Sequence, residues 1–228
     1  MRFRYGDLMS APSAPTSPKL APKPASWAYA EDFVEQSEAL DRARHEAAEL
    51  GLTPISRGAA SVLTFVARAV QAKAVVEIGT GSGVSGLALF EGMQPDGILT
   101  SVDIESEHQQ AARRAFLSVG LRTQRFRLIA GAALTVLPKL SDGAYDLVFV
   151  NADPLESADY VAQAIRLLRP GGVLAMADAF SHDHTADPSN TDDETEAVRL
   201  ALTAVREHED LVSALLPVGG GLLVSARR

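Results

Sequence analysis

Five short apolar runs, at residues 74–78, 98–104, 126–130, 145–150 and 172–177, divide the chain after Ala72. Each has the length and the Val, Ile, Leu and Phe content of a buried strand, and the intervals leave room for helical crossovers. Strands that alternate with helices pair in parallel through right-handed connections, with helices on both faces of the sheet. The pattern predicts an α/β, doubly wound, Rossmann-like fold. Between the strands, Ala111, Ala112, Ala115, Phe116 and Val119 mark one apolar helical face within 105–119, and Val161, Ala164, Ile165 and Leu168 mark another. The Arg169-Pro-Gly-Gly172 turn stops the second helix. A last helix over 195–207 leads to runs at 214–218 and 222–226 separated by three glycines, which predicts a terminal hairpin and an antiparallel end to the sheet.

Ahead of the alternating region the chain reads differently. Residues 10–26 are mostly Pro, Ala, Ser and Lys, too poor in large apolar groups to offset their ordering entropy, so 1–26 is expected to be a disordered or extended tail. Residues 27–50 have helix-forming composition, with Phe33, Leu40 and Ala47 about two turns apart, and one break is allowed. A second helix is expected over 57–70, where Val62, Phe65, Val66 and Ala69 form a stripe at i, i+3, i+4 and i+7. The domain is therefore 27–228, with a helical cap at 27–72 and an α/β core at 73–228.

Composition narrows the function classes. The chain has 228 residues, no cysteine and a formal charge of −8. Disulfides, thiolate metal sites and cysteine nucleophiles are excluded. The acidic balance disfavours nucleic acid, whose binding relies on many Lys and Arg displacing counterions; Arg113, Arg114, Arg122, Arg125 and Arg127 are expected to be a solvated face. No run of eighteen apolar residues is present, so no helical membrane span is expected. The N-terminus lacks the apolar block of a secretory signal, and a cytoplasmic location is the expectation.

Chemistry concentrates after the first strand, in Glu77-Ile-Gly79-Thr80-Gly81-Ser-Gly83-Val-Ser85-Gly86. Glycines there let the backbone bend sharply and approach a ligand, while the following helix opens with free N–H groups. The next strand ends at Asp103, placed to accept hydrogen bonds from the two hydroxyls of a ribose; capping of the helix after Glu105 is its other role. Two cofactor classes fit. Gly81, Gly83 and Gly86 satisfy G-x-G-x-x-G with an acid about twenty residues on, as for NAD. The dinucleotide pattern, however, begins at the first glycine after the strand, and counting from Gly79 puts Val84 in the third glycine's place. S-adenosylmethionine (SAM) carries no pyrophosphate and needs a carboxylate for its ammonium group, which Glu77 or Asp153 could supply.

With these residues in view, the chain resembles the class I, catechol O-methyltransferase-like SAM-dependent O-methyltransferases over about residues 52–225. The likeness rests on Val75-Val-Glu-Ile-Gly-Thr-Gly-Ser-Gly-Val-Ser85, Gly97-Ile-Leu-Thr-Ser-Val-Asp-Ile104, Asp146-Leu-Val-Phe-Val-Asn-Ala-Asp153 and Leu167-Leu-Arg-Pro-Gly-Gly-Val-Leu174. It implies a seven-stranded, mostly parallel sheet with a terminal antiparallel strand and methyl transfer to a hydroxyl oxygen of a small molecule. It also implies N-terminal helices that cover the site, and a homodimer, to which the helix at 57–70, Trp27 and Phe33 would contribute. The implied cofactor contacts are Ile55, Glu77, Gly79, Thr80, Ser85, Asp103, Ile104 and Asp153, with Ala132 and Ala133 near the adenine. An NAD-dependent oxidoreductase and a SAM-binding protein without catalysis are the rival readings.

The departures concern the metal. Metal-dependent members have an Asp after the fourth strand, an Asp-Asn pair after the fifth, and a Lys three residues past the first Asp. Here Asn151, Asp178-Ala179 and Pro154 stand there. Mg²⁺ favours octahedral oxygen coordination with one or two carboxylates, so no divalent metal is expected, and Asp178 becomes the candidate base with Asn151 orienting the acceptor. His182 and His184 are expected in an exposed polar loop, and His45, His108 and His208 on the surface.

Overall fold

Val75, Val76 and Ile78 are fully buried because β1 (Ala74–Ile78) has helices on both sides. The computed structural model describes residues 24–228. Three helices lead in, α1 (Pro24–Glu31), α2 (Glu38–Glu49) and α3 (Arg57–Ala69). After β1 follow α4 (Val84–Gly92), β2 (Ile98–Asp103), α5 (Ser106–Ser118), β3 (Phe126–Ala130), α6 (Ala133–Val136) and β4 (Tyr145–Val150). The chain ends with α7 (Ser157–Leu167), β5 (Leu168–Met176), α8 (Asp193–Glu207), β6 (Leu211–Leu216) and β7 (Leu222–Arg227).

The sheet order is β3-β2-β1-β4-β5-β7-β6, with β1 to β5 parallel. The last strand, β7, inserts between β5 and β6 and runs antiparallel to both. Side chains alternate between the faces, as the strand period requires. Val75, Leu147, Phe149, Val173 and Ala175 join the core under α2 to α5, and Val76, Val148, Val150, Leu174 and Met176 join the one under α6 to α8. The chain winds outward from β1 to β3 and then returns to β4 on β1's other side. A crevice therefore opens at the carboxyl ends of β1 and β4, where doubly wound sheets bind ligands.

Several details differ from the sequence reading. Residues 1–23 of the expected tail lie outside the described residues, and α1 begins at Pro24 rather than Trp27, consistent with proline's fit to a first helical turn. The allowed break falls at 32–37, which leaves Phe33 69% exposed, while Leu40 and Ala47 are buried as expected. On α3 the buried face is Ala59, Ala60, Leu63, Val66 and Ala67, and Phe65 is 71% exposed. The cause is close helix packing: a Cβ on Gly92 of α4 would meet the Thr64 carbonyl and Ala67, and Thr64 Oγ1 donates to the Ala88 carbonyl at 2.8 Å. Only small side chains fit that seam. Val119 ends up exposed just past α5. β5 starts at Leu168, and the turn at 169–172 is a register shift within the strand rather than a stop before it. The arginine cluster is structural in part: Arg125 donates to the carbonyls of Gln94, Pro95 and Gly97, and Arg114 pairs with Glu46. Among the described residues no helix is long and apolar enough to cross a membrane.

Asp146 ties the near ends of three strands together. Its Oδ2 accepts from the Lys73 and Ala74 amides at 2.7 and 2.8 Å, and its Oδ1 accepts from Arg169 Nε at 2.6 Å. Burial works against the ionised carboxyl, but these donors prevail and its pKa lies below the ordinary carboxylate value. A depressed pKa gives stability that is present above the unfolded-state pKa and lost as pH falls through the folded one. Asp146→Asn is expected to lower unfolding free energy by about 1.5–3 kcal/mol at neutral pH, and urea titrations should show the deficit shrinking in acid.

Candidate active site

Two cavities meet at the carboxyl ends of β1 and β4. The larger, about 420 Å³, is lined by the β1–α4 loop, by Ile55, Asp103, Ile104, His108, Ala132 and Ala133, and by Asn151 and Asp153. The smaller, about 300 Å³, is lined by Asp178, Ser181, His182, Glu194, Val198 and Gly220 among others. Asn151 and Ala152 belong to both linings.

The loop after β1 shows why glycine is needed. Gly79 has φ +92° and its absent Cβ would overlap the Asn151 carbonyl oxygen; an L side chain is excluded on both counts. Gly83, at φ +90°, is the N-cap of α4, and a Cβ there would press on Ala112 of α5. Gly86 is buried inside α4 against Phe116, so it serves helix packing. Ser82 Oγ is buried without a partner in the loop that forms the larger cavity's wall, a polar atom that a ligand could satisfy.

Asp103 sits where expected. Its Oδ2 accepts from the Thr80 and Gly81 amides at 2.9 and 3.0 Å, and its Oδ1 accepts from the Glu105 amide at 2.9 Å. The structuring role and a place on the cavity wall thus coexist. His108 Nδ1 lies 3.2 Å from Asp103 Oδ1 and the ring lines the cavity, which corrects the surface reading of this residue. Its position five residues past Asp103, on the first turn and a half of α5, is the signal that could have found it. Tyr160 and Glu156, bonded to each other, and Thr53 also line this cavity and were not singled out in the sequence.

Glu77 is not on the cavity wall. It is fully buried, with Oε1 accepting from Ser85 Oγ and Oε2 from Ser101 Oγ, each at 2.5 Å. Ser101 Oγ in turn lies 2.7 Å from Thr80 Oγ1. The strand's alternation points this carboxyl under the loop, so it supports the cradle from beneath. Burial raises its pKa to about 7, against the two serine hydrogen bonds and with Asp103 adding to the rise. Asp153 remains exposed at the rim, where its carboxylate caps the turn Pro154–Glu156 by accepting from the Leu155 amide at 2.9 Å.

The smaller cavity holds the acid–base candidates. Asp178 adopts the left-handed region, φ +52°, as do Ser181, His182 and Asp183. The residue keeps access to solvent, yet desolvation pushes its carboxyl above the ordinary value of 3.8, while His182 pulls the other way. Ala179 is fully buried and offers no donor atom. His184 faces outward and stands 3.6 Å from Asp192. Among the described residues no three His, Asp or Glu side chains gather into a metal-holding group. Of Asn151, Asp178 and Ala179 only Asp178 brings a carboxylate and Ala179 brings no side-chain ligand, a sparse set for octahedral Mg²⁺.

A ligand crevice at the switch point, seated on glycines and walled by an acid from β2, defines a nucleotide-binding α/β protein. Within that class the chain belongs to the O-methyltransferase family, whose model matches residues 30–228. A Mycobacterium tuberculosis protein named as a probable O-methyltransferase is 44% identical over 201 residues, 88% of this chain and 90% of that one. Among solved structures, a Corynebacterium glutamicum protein superposes with a TM-score of 0.81 at 34% identity, covering 87% of this chain and 94% of that chain. The O-methyltransferase of Streptomyces achromogenes involved in tomaymycin synthesis, crystallised with SAM, gives 0.80 at 26% identity over 89% and 96% of the two chains. The oxidoreductase reading is set aside.

The raised pKa of Glu77 fixes a pH dependence. The folded state holds a proton that the unfolded state releases from about pH 4.5, so this group's contribution to stability is fullest below that value and is lost as pH rises to about 7. Glu77→Gln removes the titration. Its melting temperature relative to the parent should climb across that window and level off above it, as read by thermal scans in matched buffers.

Proposed function

We propose that this protein transfers a methyl group from SAM to a hydroxyl oxygen of a small molecule. The observation that carries the reading is the shared wall: the two cavities touch at Asn151 and Ala152, so a donor in one meets an acceptor in the other. The larger cavity fits SAM in kind. Gly79 and Gly81 let the backbone come close, Asp103 receives ribose hydroxyls, Ile55, Ile104, Ala132 and Ala133 pack against the adenosine, and Asp153 faces the ammonium group. Thr80 and Ser85 hold their contacts through the Glu77 network below.

When bound, SAM supplies a methyl carbon whose bond to sulfur breaks, the electron pair staying on sulfur, as the acceptor oxygen bonds to it. The protein's task is alignment and removal of the hydroxyl proton. Asp178 takes that proton and Asn151 orients the acceptor by its side-chain amide. Desolvation strengthens Asp178 as a base, which serves a site without paired metal ligands. Val150, Met176 and Val198 line the same cavity, which suits an acceptor with an apolar body. Methyl transfer then does not require Mg²⁺.

The test begins with calorimetric titration by S-adenosylhomocysteine, which should bind the parent and bind Asp103→Ala about tenfold or more weakly. A screen of hydroxylated aromatics with labelled SAM follows. Asp178→Asn should lower kcat about a hundredfold or more and abolish an acid limb whose midpoint lies above 3.8 in the parent. Binding without transfer to any acceptor would favour a non-catalytic SAM-binding protein, and activity lost to EDTA and regained with Mg²⁺ would overturn the metal-free reading.

We also infer a homodimer, from the exposure of Trp27, Phe33 and Phe65, at 48%, 69% and 71%, on the N-terminal helices and the linker between them. Light scattering should give twice the chain mass. Phe65→Asp should shift it to the monomer; a monomeric parent would refute the inference.

A further inference from the structure

The helix α1 has no buried residue, so apolar burial does not explain what holds it. Its last residue does. Glu31 Oε2 accepts from the Gly58 amide at 2.7 Å, in the first turn of α3, and Glu31 Oε1 accepts from the Gly219 amide at 2.6 Å, in the turn between β6 and β7. A carboxylate at a helix N-terminus is favoured by the dipole as well as by the free amides. One side chain thereby joins two segments far apart in sequence. The fit is close on both sides: a Cβ on Gly58 would lie 2.7 Å from Glu31 Oε2, and one on Gly219 would lie 2.7 Å from Ser56 Oγ.

The turn passes this constraint to the smaller cavity. The Gly220 carbonyl accepts from the Phe180 amide at 2.8 Å and the Gly221 carbonyl from the Ala179 amide at 3.1 Å. A Cβ on Gly220 would collide with Asp178 Oδ1, and one on Gly221 would lie 2.6 Å from the Phe180 ring. The loop that starts at Asp178 is thus laid directly on the glycine triplet. On the other side of Glu31, the chain before Ser56 carries Ile55, a wall of the larger cavity, whose carbonyl accepts from Arg44 Nη1 at 2.5 Å.

We propose that Glu31 is a positioning residue for the acceptor side of the reaction: its carboxylate fixes the turn at 218–221 and through it the Asp178 loop. This rests on the reading of Asp178 as the acceptor-side base. Four left-handed non-glycine residues between 178 and 183 need outside support to persist, and the triplet provides it. With Glu31 shortened, the turn loses one of its anchors and α1 its tie, while the β1–α4 loop and Asp103 are untouched. The cofactor side should not respond, because Arg44 holds the Ile55 carbonyl independently of Glu31.

The experiment compares the full-length parent with Glu31→Ala. Amide hydrogen exchange should accelerate at both 178–181 and 218–221 and stay unchanged at 79–85. Affinity for S-adenosylhomocysteine should remain within about threefold, and kcat on a responsive acceptor should fall about tenfold or more, corresponding to at least about 1.4 kcal/mol in the barrier. The acid limb of kcat should move to lower pH, because a loosened turn hydrates Asp178 and lowers its pKa; a general loss of stability would not move it. Faster exchange at 218–221 with unchanged 178–181 overturns the proposal, as does a parallel loss of cofactor affinity. Asp178→Asn separates the two readings: if it retains kcat, the base assignment fails, and the exchange arm alone then decides whether Glu31 sets the loop. Should Glu31→Ala not fold, Glu31→Gln, which keeps one acceptor oxygen, is read the same way with a smaller change.

Discussion

The carbonyl oxygen of Asn151 occupies the space that a side chain on residue 79 would need. This contact joins the carboxyl ends of β1 and β4 at the point where the winding reverses, and both cavities are arranged around it. The Asn151 amide also donates to the Ile78 carbonyl at 2.8 Å, extending the β1–β4 ladder to its last residue. A glycine in the wall of the larger cavity is therefore demanded by a backbone atom of a residue that lines both cavities. Sheet topology and site geometry are the same constraint here.

Three carboxyl groups around this point have been given different jobs by burial. Glu77, at full burial and with two serine donors, is pushed to about 7 and supports the loop from beneath. Asp103, with backbone amides on both oxygens, is held by the loop it orders. Asp178, with no hydrogen bond from the donors around it to offset desolvation, is pushed up and left facing its cavity. The general rule is that donors keep a carboxylate ionised while desolvation makes it a better proton acceptor. Burial outweighs two donors at Glu77 and meets none at Asp178.

Much of this was legible in the sequence because it is local. The strand at 74–78, the glycine loop and Asp103 lie within one β-α-β unit, where strand period and glycine chemistry act over a few residues. The face of α3 was not legible: Phe65 fits an apolar stripe, but the contact with Gly92 admits only small side chains, and that seam is set by a partner helix. Glu77 could be placed at the strand's end but not beneath the loop, because its orientation depends on Ser101 of the next strand. The link from Glu31 to Gly219 spans nearly the whole chain, and nothing near either residue announces it.

The three glycines at 219–221 read in sequence as a plain hairpin turn, and a hairpin needs at most two residues of positive φ. In the structure each glycine is required by a different neighbour: Gly219 by Ser56, Gly220 by Asp178 and Gly221 by Phe180. The turn is thus a junction between the cap helices, the loop after β5 and the inserted strand β7. Because β7 is wedged between β5 and β6 and runs antiparallel to β5, the turn that leads into it lies beside the carboxyl end of β5, where Asp178 emerges. A sheet closed by an ordinary parallel strand would put no turn there. The antiparallel insertion is consequently what brings the turn at 218–221 to the smaller cavity, within reach of Glu31 on the first helix.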